Sequence, residues 1–166
     1  MNRDRDDAGR PKNARPRDQL GRPLARTAAG EPGVPDDLAL SPEAALGEAQ
    51  RLIETGRPFH AHEVLEARWK ATTGAERDLW QGLAQIAVGL THAQRGNTRG
   101  AVSLLRRGAD RIRPYAAAAP YGVDVAAAVM SAEGLADRIE RLGAGGLAPS
   151  DLRPRLFDDR GGSPGG

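Results

Sequence analysis

His62 and Glu66 lie four residues apart in the run His-Glu-Val-Leu-Glu, a spacing that puts both on one side of a helix. There an imidazole nitrogen can meet a carboxylate oxygen. A third polar group brought across from another helix would complete a small polar pocket. If that group were His92, two imidazoles and one carboxylate would form a set that holds a divalent metal with open positions, and such a metal can activate water. On that reading His62, Glu66 and His92 are ligands and Glu63 is the general base of a hydrolase. The pattern lacks the second His of His-Glu-x-x-His and the doubled Glu-x-x-His of di-iron bundles. A buried polar network, with Glu66 orienting His62 and Gln85 satisfying what remains, therefore ranks first. The pocket it implies comprises His62, Glu63, Glu66, Trp69, Gln81, Gln85 and His92. No cofactor is predicted, and a divalent metal is the one these residues would admit.

The element that must position these groups runs from Asp78 to Gly96, and its interior from Leu79 to Gln94 carries no formal charge in a chain that is 28% charged. Leu79, Leu83, Ile86 and Leu90 recur at helical spacing. Gln81, Gln85, Val88 and His92 form a second stripe on nearly the opposite face. Gly82, Gly89, Ala93 and Gly96 make a small-residue seam where another helix can approach. A surface helix has one apolar stripe and one charged face, so this helix is predicted to be central.

Four further helices are predicted around it. Ser41-Pro42-Glu43 is a helix start, with Ala45, Ala49, Leu52 and Ile53 inward and Gly56 at the end. Pro58 starts a second helix to about Ala71, with Ala61, His62, Leu65 and Trp69 on one face, Glu66 at its edge and Glu63 outward. Gly96-Asn97 is a tight junction into a fourth helix, Thr98 to Arg113, antiparallel to the third. Asp124 caps a fifth helix to about Leu142, closed by Gly143. Leu152, Leu156 and Phe157 form a strip that could dock, but a free tail is expected.

The bulk numbers agree with one modest core. The 166 residues include 21 Gly and 12 Pro, crowded toward the ends, and only 4% aromatics. Residues 41–143 are assigned to the helical domain, with disordered tails at 1–40 and 144–166. Removing residues 1–37 and 147–166 should on this basis barely change thermal stability. The net charge of +2 does not mark a nucleic-acid binder. Arg95, Arg99, Arg106, Arg107, Arg111 and Arg113 stand against the single Asp110, yet no aromatics are interleaved with them for stacking on bases. A solvated face ranks first, and contact with nucleic acid or another anion second. There is no Cys, so thiolate chemistry is excluded. No apolar run resembles a signal-peptide core or reaches the ~20 residues of a membrane span, so a soluble cytoplasmic protein without membrane contact is expected.

Taken together, Phe59 to Trp69, Gln81-Gly82-Leu-Ala-Gln85-Ile-Ala87, His92, Arg95-Gly-Asn97 and Gly100-Ala101 resemble the prokaryotic domain of unknown function 309 over about Glu48 to Ile112. The resemblance implies a small all-helical protein. It also implies that His62, Glu63, Glu66, Trp69, Gln81, Gln85, His92, Gly96, Asn97 and Gly100 are the positions matching the family pattern. It carries no established activity. Gly89, Gly96, Ala101 and Leu105 also resemble one tetratricopeptide hairpin, but Gln85 stands where Trp is usual and no second copy recurs.

The fold expected is all-α, a single bundle of about five helices with a central buried helix between disordered tails. The leading function is a non-catalytic binding or interaction domain with a polar pocket between helices two and three. The alternative is a metal-dependent, hydrolase-like enzyme using His62, Glu66 and His92. The partner, a protein or a small molecule, and the oligomeric state do not follow from the chain.

Overall fold

Helix boundaries follow from local chemistry. The structure is a computed structural model and describes residues 40–157. Helix α1 (Pro42–Glu54) begins where the Ser41 hydroxyl accepts a hydrogen bond from the Ala44 N–H and Pro42 occupies the first turn. Helix α2 (Pro58–Lys70) starts on Pro58, and α3 (Arg77–Gln94) is the long central helix. Helix α4 (Thr98–Ile112) is capped by Asn97, whose side chain accepts from the Gly100 N–H at 3.0 Å. Helix α5 (Val125–Leu142) is capped in the same way by Asp124 from the Ala127 N–H. Among the described residues, two 3-10 turns lie between α4 and α5 and two follow α5, and no strand occurs. The expected tail over residues 1–39 lies outside the described residues.

Consecutive helices pack side by side, so α3 is held between α2 and α4, and α5 lies against α4. The stripe Leu79, Leu83, Ile86 and Leu90 is at most 1% exposed, as a central helix requires. Trp80, which the sequence places between the two stripes, is also fully buried.

The close approach of α3 and α4 depends on missing side chains. A Cβ on Gly82 would lie 2.6 Å from Ile112 Cγ2 and 3.0 Å from the Gly108 carbonyl oxygen. A Cβ on Gly108 would meet the Gly82 carbonyl oxygen at 2.7 Å. Gly89 abuts Leu105 in the same seam. Gly96 serves differently, because nothing lies near it and its φ of +81° closes α3. The N–H of Gly96 donates to Ala93 O and that of Asn97 to His92 O, the paired bonds of a left-handed C-terminal cap.

One expectation fails at the C-terminus. Residues 144–157 are packed, not free: Leu152, Leu156 and Phe157 are 6%, 2% and 3% exposed. Gln50 on α1 holds the segment. Its side-chain oxygen accepts from the Leu156 and Phe157 N–H groups at 2.8 and 2.9 Å, and its nitrogen donates to Pro154 O at 3.1 Å. Ion pairs from Arg138 to Asp151 and from Arg155 to Glu54 flank the contact. Three apolar side chains in a Pro- and Arg-rich stretch suffice because a buried amide supplies the backbone hydrogen bonds that no helix or sheet provides. The folded unit therefore extends past residue 143 to at least Phe157.

Candidate functional site

His62 and Glu66 project from α2 with His62 Nε2 3.5 Å from Glu66 Oε1, and their side chains are 20% and 37% exposed. His62 Nδ1 is buried and has no hydrogen-bond partner among the described residues. The ring packs against Phe59, with centroids 5.5 Å apart, and Arg95, just past the end of α3, lies 5.9 Å from the Phe59 ring. Glu63 is exposed, while Trp69, Gln81 and Gln85 are half-buried.

At the opposite end of the α2–α3 contact the two tryptophans face reciprocal cations. Arg77 of α3 lies 4.6 Å from the Trp69 ring of α2, and Arg68 of α2 lies 5.9 Å from the Trp80 ring of α3. Both indole N–H groups are buried without a partner among the described residues. That differs from the satisfied indole expected of a core tryptophan, and the electrostatic contribution comes through the ring faces instead. Tyr121 also packs on Trp80 and donates to Glu76, a bond that pushes its phenol up to about 12.

Gln85 does not turn to His62. Its side-chain oxygen accepts from Arg111 Nε on α4 at 3.1 Å, and Arg111 also reaches Asp78 at 3.4 Å. The same pairing consumes much of the arginine stripe: Arg106 contacts Asp137 at 2.7 Å and Glu140 at 2.8 Å on α5. Arg113 contacts Asp110 and Glu133. These arginines tie α4 to its neighbours, an outcome invisible in a stripe read alone because every acid but Asp110 comes from another helix.

His92 belongs to the α3–α4 junction. Asn97 Oδ1 caps α4, which fixes the orientation of the amide and leaves Nδ2 to donate to His92 Nδ1 at 2.9 Å. His92 is therefore neutral with its proton on Nε2. Burial first, and then the nearby Arg95 charge, hold its pKa below the ordinary histidine value. Gly100 completes the lock, since a Cβ there would lie 2.6 Å from Asn97 Nδ2 and 3.1 Å from His92 Cγ. Three of the residues on which the resemblance rests thus meet in one helix junction.

This arrangement corrects the facial-triad expectation. Among the described residues no three His, Asp or Glu side chains gather closely enough to share a metal, so His62, Glu66 and His92 do not form a ligand group. The tautomer of His92 points the same way. For Nε2 of His92 to bind a metal, Nδ1 would carry the proton and confront the Asn97 amide donor.

Sequence reading missed two residues with clear work to do. Gln50 interrupts the apolar face of α1 between Ala49 and Ile53, and a buried amide in an apolar stripe was the available signal. Arg111 was read only as one charge in a cluster.

Residues 46–104 match the family model described as Domain of unknown function (DUF309). The match runs from α1 into α4, and so contains the α2–α3 face and the His92 junction but neither α5 nor the docked C-terminal segment. Nothing matches among curated proteins or solved structures.

Proposed function

We propose that this chain, built on a DUF309 domain, is a small helical binding module and not an enzyme, and that its partner docks on the half-exposed face of α2 and α3 around His62 and Glu66. The observation that supports the reading is His62 Nδ1, a buried nitrogen with no partner among the described residues. Leaving that atom unmet costs free energy, and a partner that turns the partly exposed ring can bring it to a donor or acceptor. Glu66, a third exposed, stands beside it and can take a second hydrogen bond. The partner is accordingly a protein or small molecule that presents both a donor and an acceptor, and the setting we propose is the cytoplasm. No helix among the described residues is long and apolar enough to cross a membrane.

The alternative, a metal-dependent hydrolase, would need His62, Glu66 and His92 to be drawn together from the arrangement described above, and it differs in a measurement that needs no substrate. Melting of the parent and of His92→Ala is recorded with chelator and with added zinc. The binding-module reading expects chelator to change neither protein, and His92→Ala to melt lower by the same amount in both conditions. A chelator-induced loss in the parent that vanishes in His92→Ala would replace this reading by the metal one. Crosslinking in a native extract supplies the positive arm: complexes trapped by the parent should be lost in His62→Ala/Glu66→Ala and kept in Arg107→Ala.

A further inference from the structure

A cavity of about 210 Å³ lies between the last turns of α3 and the docked C-terminal segment. Ala93 forms part of its floor, and Ala144, Leu147 and Leu152 form its apolar wall. Arg153 stands at its rim, exposed to solvent. The pocket opens to solvent on one side, and its volume leaves room for a short hydrocarbon chain laid along it.

Arg153 is the feature that gives the cavity a chemical preference. Its guanidinium lies against Gly56, with Nη2 3.1 Å from where a Cβ on that glycine would stand. Its side chain makes no ion pair and no hydrogen bond among the described residues. Its neighbours in the sequence behave differently: Asp151 is paired with Arg138, and Arg155 with Glu54. Gln94, also at the cavity, already donates to Gly56 O at 2.9 Å, so an anion entering here would find its donor in Arg153. A largely apolar pocket whose mouth carries a planar cation without a partner among the described residues matches an apolar body with one carboxylate.

We propose that this cavity binds a small amphipathic carboxylate, its hydrocarbon chain against Ala93, Ala144, Leu147 and Leu152 and its head group on Arg153. The site is separate from the α2–α3 face. One wall comes from the matched stretch and the other from the docked segment beyond it, so the proposed preference depends on residues outside that stretch.

The test is a titration of the full chain followed through its backbone amides, with hexanoate, hexanol and acetate as probes. Hexanoate should produce saturable shifts centred on Gly96 and Gly145, hexanol should bind about tenfold more weakly for want of the charge-assisted hydrogen bonds, and acetate should not saturate. Arg153→Gln should erase the preference for hexanoate, while Arg153→Lys, which keeps the cation, should retain part of it. Gly145→Leu should abolish binding of both six-carbon probes by filling the space. A Cβ at Gly145 meets nothing within 4 Å, so this variant tests the pocket without breaking the fold. Equal binding of hexanol and hexanoate by the parent would remove Arg153 from the site. Shifts that never saturate, or that survive Gly145→Leu unchanged, would overturn the site itself.

Discussion

His92 shows how one side chain can be read as a ligand and yet serve as a lock. Its Nδ1 needs to be unprotonated to accept from Asn97, and its depressed pKa follows from burial and from Arg95. The unfolded chain therefore takes up a proton on His92 at a higher pH than the folded one. Stability from this group is fully present above the ordinary value of 6.5 and declines as pH falls below it toward the folded pKa. An imidazole titration by NMR should place the His92 midpoint below 6.5, and His92→Gln should flatten the part of the stability profile that this group causes. His92→Ala should cost about 0.5–1.5 kcal/mol, the net worth of one hydrogen bond, because the Asn97 amide that loses its acceptor is exposed to water. A midpoint at or above 6.5 would count against the lock. Gln50 offers a parallel case. Gln50→Ala removes the acceptor of two backbone N–H groups and should cost about 1–3 kcal/mol in chemical unfolding.

Between helices, the α3–α4 crossing reverses the usual rule for glycine. A glycine inside a helix ordinarily destabilises by about 0.5–1 kcal/mol relative to alanine. Gly134 in α5 obeys that rule: it is exposed, nothing lies near its would-be Cβ, and Gly134→Ala should stabilise by about that amount. Gly108→Ala should do the opposite. Its Cβ would press on the Gly82 carbonyl oxygen at 2.7 Å and on Ile86 Cγ1 at 2.7 Å, and backbone cannot rotate aside. A loss of about 1–3 kcal/mol is expected from the forced separation of the helices. Thermal melts of the two variants against the parent check both signs at once. If Gly108→Ala proved as stabilising as Gly134→Ala, the close crossing would not exist. Both glycines were legible as small residues in the chain, but only the crossing tells which of them has a neighbour.

For the molecule as a whole, the docked C-terminus sets where the domain ends. A chain stopped after Gly146 loses the burial of Leu152, Leu156 and Phe157, worth about 1.5–3 kcal/mol per side chain before the entropy of ordering the segment is counted. A chain stopped after Phe157 keeps all three. The shorter truncation should therefore lower the melting temperature by about 10 °C relative to the longer one. Equal melting of the two would mean that the segment contributes no net stability. The same segment forms the roof of the Arg153 cavity, so the shorter truncation should also abolish hexanoate binding.

The chain by itself determined the helices, because caps and periodicity are local. Ser41, Asn97 and Asp124 act on N–H groups three residues away, and the Leu79–Leu90 stripe repeats within one element. A burial pattern of that kind needs no knowledge of the neighbour, only that there is one. What the tertiary structure decided is the partner of each polar group. Gln50 meets residues 154, 156 and 157 from the far end of the chain, and Arg106 meets acids more than thirty residues on. His92 looked free to reach across to His62, and the Asn97 amide five residues further on claimed it. Hydrogen bonds and ion pairs are short-ranged and directional, so which polar groups come within reach is fixed by helix packing and not by spacing along the sequence. Apolar burial lacks that directionality, which is why the core could be read from the sequence while the site waited for the fold.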